Sequence, residues 1–210
     1  MPRLLQLAGL FAALASPLPS AAVQVVDRIV AHVEDDVLFQ SELRELGRFQ
    51  RLAGGQSESD AQLLDRLVDQ WIVKTEADAA RFPPPSDADV DRQIEHLQRQ
   101  FASPGALESR LHETGLTLPQ LRRIVAQQLY LARYLDYKFR PAVQVDQAAI
   151  EKYYRETLLP QLAARGEAAP PLDTVEEQIR EVLVERAINE LADRWLVESR
   201  AHLHIERNLK

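Results

Sequence analysis

Apolar positions recur along the chain with two periods. Between residues 25 and 33, VVDRIVAHV, they alternate closely enough to predict a strand, and Glu34, Asp35 and Asp36 make a polar turn. Val37, Leu38 and Phe39 predict a short return strand feeding a helix with Ser41 at its N-cap. From there the period becomes helical. The first helix ends at Gly54 and Gly55, and a second from near Asp60 to about Ala80 carries Leu64, Leu67, Val68, Trp71, Ile72 and Thr75 along one stripe. Three prolines, Pro83 to Pro85, stop it.

The punctuation continues in the same manner. Ser86 and Asp89 form a capping-box start for a helix to about Phe101, and Ser103 with Pro104 opens a short helix that Gly115 closes. Thr117 and Pro119 open a long helix to about Arg140. A further helix starts at Asp146 and passes Tyr153 and Tyr154 before Pro160, and residues 163–172, AARGEAAPPL, read as a linker. Thr174 and Glu177 then predict a capping box and a helix to Arg200, after which the period drops to two over residues 201–206, AHLHIE. A mainly α chain with one strand region near each end is the fold class this pattern predicts.

Composition narrows the class. With 210 residues, 46% of them hydrophobic, the chain can bury the core of one moderate domain, and with no cysteine it does so without disulfides. Residues 1–22 read as a secretory signal peptide: Arg3, an apolar run from Leu4 to Ala15, the Pro17 and Pro19 break, and small residues up to Ala22. That run falls short of the ~20 residues a spanning helix needs, so no stable membrane insertion is expected after cleavage. The formal charge of −7 leaves no basic block to displace counterions from a nucleic-acid backbone.

Candidate chemistry adds little. His202 and His204 would alternate on the last strand with His32 on the first, but no carboxylate or cysteine stands at ligand spacing beside them, and a solvated sheet face accounts for all three. Asp35 and Asp36 sit at a turn, and Asp87, Asp89 and Asp91 begin a helix whose dipole favours them. No serine has a histidine at recognisable spacing, and no glycine-rich phosphate loop exists. No cofactor, metal site or catalytic residue is predicted.

The long helix after Pro119 is more telling. At about 100° per residue, Leu121, Ile124, Val125, Gln128, Ala132, Leu135 and Phe139 predict its core face. Tyr130, Tyr134 and Tyr137 fall on the other side. Either a neighbouring helix, such as the one with Tyr153 and Tyr154, covers them, or they form a strip that binds unfolded polypeptide through rigid apolar area tipped with hydroxyls.

The succession VVDRIVAHVEDDVLFQSEL, LLDRLVDQWIVKTEADAARF, SDADVDRQIEHLQRQF, LHETGLTLPQLRRIVAQQLYLARYL and VEEQIREVLVERAINELADRWLVESRAHLHIE resembles the core module of the SurA-type periplasmic chaperones. More distantly it is similar to PrsA and the chaperone region of trigger factor. The resemblance implies one helical chaperone domain over 23–210, made of an N-terminal part 23–162, a linker 163–173 and a C-terminal helix and strand 174–210. Its small sheet would be formed when the N-terminal hairpin receives the C-terminal strand. It also implies a periplasmic, ATP-independent holdase whose partners are unfolded or extended polypeptides, including outer-membrane proteins in transit.

Two departures qualify the resemblance. The family's parvulin-type prolyl isomerase domain is usually inserted between the two parts, and the residues between Asp146 and Thr174 are too few for a domain of ordinary small size, on the order of 100 residues. The chain is therefore expected not to be an enzyme. At the first turn the family often places Asn before Asp or Gly, where this chain has Glu34, Asp35 and Asp36. A structural adaptor docking one dedicated envelope partner is the alternative function, and a prolyl isomerase is the less favoured third.

Overall fold

The computed structural model describes residues 27–101, 103 and 105–209. The signal-peptide expectation for residues 1–22 lies outside the described residues, as does the start of the first strand before Asp27. The described chain is mainly α with a small antiparallel sheet of order β2-β1-β3, built from β1 Ile29–Val33, β2 Asp36–Phe39 and β3 Ile205–Arg207.

Antiparallel pairing of the two distant ends is as expected, though the third strand is later and shorter. Ala31, His32 and Val33 face Arg207, Glu206 and Ile205, and flanking bonds run from Asn208 N–H to the Val30 carbonyl at 2.8 Å and from Glu34 N–H to the His204 carbonyl at 3.0 Å. Residues 201 and 202 still belong to the preceding helix, where the His202 ring Nδ1 lies 2.7 Å from the Glu198 carbonyl and donates to it. Val30 is an extra residue on β1, since Ile29 and Ala31 oppose the neighbouring Phe39 and Leu38. That bulge turns Val30 and Ala31 inward together, and both are buried.

The hairpin turn holds Glu34 at φ +51°, in the left-handed region that Asn or Gly fills more readily. A compensation is visible beside it. The Glu34 carboxylate accepts the His204 N–H at 2.7 Å, so the unusual turn is tied to the returning strand. Asp36, two residues on, accepts the indole N–H of Trp71 at 2.8 Å.

Five helices follow the hairpin: α1 Gln40–Leu52, α2 Asp60–Ala79, α3 Asp87–Arg99, α4 Ala106–Thr114 and α5 Leu118–Phe139. Ser59, Ser86 and Thr117 cap α2, α3 and α5, each accepting from the third helical N–H, and Gly115 closes α4 at φ +69°. Ser41 is not the cap of α1. It lies inside the helix and donates its hydroxyl to Asp27, while the Glu42 carboxylate reaches back to the Phe39 N–H at 2.7 Å.

Beyond a 3₁₀ turn at Arg140–Ala142, α6 Gln147–Tyr153 is capped by Asp146 and runs through a π segment, Tyr154–Leu158, into α7 Leu159–Arg165. Pro160 predicts the end of this helix, and the structure carries it further. A π turn widens the helix just where a proline ring would strike the preceding turn, so the chain continues to Gly166. The linker is correspondingly shorter. α8 then spans Leu172–His202, starting two residues before Thr174, whose hydroxyl donates to the Pro171 carbonyl at 2.7 Å instead of capping the helix.

α2 is the centre of the molecule. Leu63, Leu64, Leu67, Val68 and Ile72 pack under the sheet with Val30, Val33, Leu38 and Leu43, and the later Val73 and Ala77 meet Leu131 and Tyr134 of α5. A second core joins the end of α1, α3 and α4 to the first half of α5 through Leu52, Val90, Ile94, Leu107, Leu111, Leu121 and Val125. The end of α8 and the strand after it are latched to α2 by Arg200 on Asp69 and by Arg207 of β3 on Asp65, the two aspartates one helical turn apart. Burial pushes the Asp69 carboxyl up, against the pull of the Arg200 guanidinium.

Candidate functional site

α5 lines three surface depressions in succession, and each takes its character from what packs beside the helix. The first, about 530 Å³, lies between α1, α2 and the start of α5, with Gln120, Arg123 and Gln127 on the α5 side. The second, about 270 Å³, is apolar and lies between α1, α3 and α5, lined by Phe49, Leu97, Val125, Leu129 and Ala132. The third, about 380 Å³, is shallow and lies where Phe82, Pro83 and Pro84 cross Tyr130.

The tyrosines of α5 gather at the third depression but have three different fates. Tyr134 is buried at 4% exposure, against Val73, Ala77 and Leu131, whereas Tyr137 is 64% exposed. Tyr130 is half-buried, and its hydroxyl donates to Asp78 Oδ1 at 2.8 Å with the Phe82 carbonyl at 3.3 Å. Burial and the Asp78 carboxylate push that hydroxyl up to about 12, so it stays a neutral donor at physiological pH. One strip of three equivalent tyrosines does not exist.

The buried face of α5 departs from the expected stripe in its second half. Leu121, Ile124 and Val125 are buried as expected, but Leu131 and Tyr134 replace Ala132, which is exposed, and Leu135 and Phe139, which are half-buried. The reason is a change of neighbour. The first half packs on α3 and α4, the second on α2 and α8, so the buried stripe rotates around the helix where one partner gives way to the other.

A neighbouring helix does cover Tyr134, but it is α2, not the one carrying Tyr153 and Tyr154, and Phe82 lies against all three tyrosines. Its ring centroid lies 5.9 Å from Tyr130, 5.6 Å from Tyr134 and 5.3 Å from Tyr137. Phe82 is aimed there by a helix stop in which Arg81 adopts φ +54° and the Phe82 N–H donates to the Ala77 carbonyl at 2.9 Å. A non-glycine residue in that conformation costs of order 1 kcal/mol. The stop holds Phe82, Pro83 and Pro84 as one apolar ledge over α5.

Charged side chains hold α5 in place. Asp89 accepts from Arg133 at 2.9 Å and from Ser86, and Arg133 holds its carboxyl well below the usual range. Asp91 pairs with Arg122. Asp89 and Asp91 thus clamp α3 to α5, and Asp89 is also favoured by the helix dipole. On the other flank Lys138 lies 3.2 Å from Glu76 and 4.5 Å above the Trp195 ring.

The three histidines are not gathered. His202 ends α8, His204 sits 3.2 Å from Glu206, and His32 pairs opposite Glu206 in the sheet. Among the described residues no three metal-ligating side chains converge, and no helix is long and apolar enough to cross a membrane. Sequence reasoning missed Phe49, Leu97 and Leu129, which line the apolar depression with Val125 and Ala132. Leu129 and Ala132 at i and i+3, next to the buried Val125, were the available signal.

No family model matches the chain. It is similar to Chaperone SurA of Ralstonia nicotianae, at 30% identity over 173 residues that cover 79% of this chain and 33% of the relative. The chain thus spans about a third of the length of the curated relative it matches.

Proposed function

We propose that this protein is an ATP-independent holdase of the SurA type, which shields unfolded or extended polypeptides in the periplasm, outer-membrane proteins in transit among them. The observation that carries this is the row of shallow, open receptors along α5: the Phe49, Leu97, Leu129 and Ala132 depression beside the Phe82, Pro83 and Tyr137 ledge. Small apolar receptors in sequence suit a chain held weakly at several points, because each captures one side chain and none demands a particular fold. The similarity to a SurA chaperone supports the same reading.

Catalysis of prolyl isomerisation is not part of the proposal. The stretch between α7 and α8, residues 166–171, is far too short to carry a separate catalytic domain. Purified protein should leave cis/trans exchange of a prolyl peptide at its background rate, which a barrier of about 20 kcal/mol makes slow enough to follow by hand.

The deciding experiment is light scattering from several unrelated proteins diluted out of denaturant. A holdase suppresses aggregation of all of them at near-stoichiometric ratios. Protection of none, with capture of a single folded partner, would establish the adaptor alternative instead.

A further inference from the structure

The first depression differs from the other two in chemistry. Its floor is Leu46, Leu67 and Ile124, but its walls are guanidinium and amide groups: Arg44 and Arg48 one turn apart on α1, faced by Gln70 of α2 and Gln127 of α5. The glutamines bridge the trough, Gln127 Nε2 donating to Gln70 Oε1 at 3.4 Å.

The carboxylates on its lining are already engaged. Glu45 pairs with Arg123, and Glu42 is spent on the Phe39 N–H. Among the described residues no carboxylate lies within ion-pairing distance of Arg44 or Arg48. Arg48 donates only to the Gly115 carbonyl, at 3.2 Å. Two arginines without an ion-paired carboxylate thus line a polar groove on a protein whose overall charge is −7, with Asp27 near enough to feel the charge of Arg44 but not in contact with it.

We infer that this groove binds an extended acidic polypeptide segment, its carboxylates on Arg44 and Arg48 and its backbone amides on the glutamine walls. The inference deepens the proposed polypeptide-binding role and rests on it for the class of ligand. Arginine suits the task because its planar fork matches a carboxylate, and glutamine offers a donor and an acceptor to any backbone regardless of sequence. A broad polyanion is disfavoured. Nucleic acid or an anionic bilayer meets the protein's net negative charge, whereas a short segment lying in the trough meets chiefly the local positive field.

The test is fluorescence anisotropy with three labelled ten-residue peptides of alternating Gly and Asp, Gly and Asn, or Gly and Lys. The Asp peptide should bind, the other two should bind at least tenfold more weakly, and the affinity should fall as salt is raised. Arg44→Gln with Arg48→Gln should weaken the Asp peptide about tenfold or more, while Arg66→Gln, away from the groove and paired with Glu58, should leave it unchanged. If the double variant is misfolded, amide shift mapping on the unmodified protein decides: shifts centred on Leu46, Gln70 and Gln127 sustain the groove. Absent binding, equal binding of the Asn peptide, or shifts elsewhere overturn it. A protein that protects unfolded clients yet ignores the Asp peptide refutes this inference alone, whereas one that binds the peptide and protects no client keeps the groove and refutes the holdase reading.

Discussion

α8 runs through two kinds of surroundings. Its C-terminal end sits against α2 and the sheet, where Trp195 and Leu196 pack on a buried cluster and Arg200 reaches Asp69, with Leu203 and the β3 residue Arg207 extending the contact. Its N-terminal half packs on α6 and is tied to Arg140 just after α5. There Ile150, Ile179 and Ile188 are the buried side chains, while Tyr153, Tyr154, Leu158, Leu159 and Leu162 are only half-covered. Polar links support this second region: Arg140 to Glu181 at 2.6 Å, Arg180 to the Val145 carbonyl at 3.2 Å, and Tyr154 to the Pro170 carbonyl at 2.6 Å. The same helix is thus core at one end and a two-layer arm at the other. Stability follows shared burial, and helix length contributes little by itself.

The largest effect should come from removing residues 203–209. Loss of β3 uncovers Val33 and Ala31, exposes a β1 edge and removes the partner of the strained Glu34 turn, so the variant should aggregate or lose cooperative thermal unfolding. Folding as cooperatively as the parent would show that the sheet end is not the stability centre.

Next in size, Tyr134→Ala should cost about 3 kcal/mol in denaturant titration, as truncations of buried aromatics do. Tyr134 is held among Val73, Ala77 and Leu131. A cost below about 1 kcal/mol would place it with the surface residues.

Acid should divide the molecule differently. Arg66 and Gln50 lower Glu58 to about 2, and Arg133 and Ser86 hold Asp89 well below the usual carboxylate range, so both folded values lie below the unfolded ones. Their stabilisation is present above about pH 4.5 and is lost as pH falls towards 2. Asp69 at the latch has the opposite sign: burial raises its folded value, so its contribution improves as pH falls through that value. Melting temperatures from pH 7 to 2 should therefore drop mainly below pH 4.5, less steeply in Arg133→Gln and more steeply in Asp69→Asn. Identical slopes in all three proteins would remove the distinction.

The smallest stability change belongs to the exposed aromatic. Tyr137→Ser should shift unfolding by no more than about 0.5 kcal/mol, yet reduce protection of unfolded clients measurably in the light-scattering assay. A short Gly-Ser insertion at 166–171 should be equally mild, since those residues connect the arm at its exposed tip. A large loss from that insertion would mean that the arm is as tightly specified as the sheet end.

Much of this was legible because the chain marks its own boundaries. Ser86 with Asp89, Thr117 with Pro119, Gly115 and Asp146 all act where the sequence places them, since capping depends on a few adjacent residues. Thr174 misled for the same local reason: its pairing with Glu177 looks like a cap, but the chain already turns helical after Pro171. The tyrosines were illegible in a deeper sense. Their spacing places them on one side of α5, and only the distant Val73 and Ala77 of α2, with Phe82 set beside all three by the left-handed Arg81, leave Tyr134 covered and Tyr137 exposed. Likewise the groove between α1, α2 and α5 draws on three helices, and no single stretch of sequence displays it.

The pairing of β1 with β3 also sets an order of events. Its paired residues lie 172 to 176 positions apart, from Val33 with Ile205 to Ala31 with Arg207, so closing that pairing carries a large loop entropy. A chain emerging from its N-terminus makes the β1–β2 hairpin early and must leave its outer edge unsatisfied through the synthesis of eight helices. Throughout that interval the nascent protein presents the kind of unpaired strand that a holdase would itself shelter.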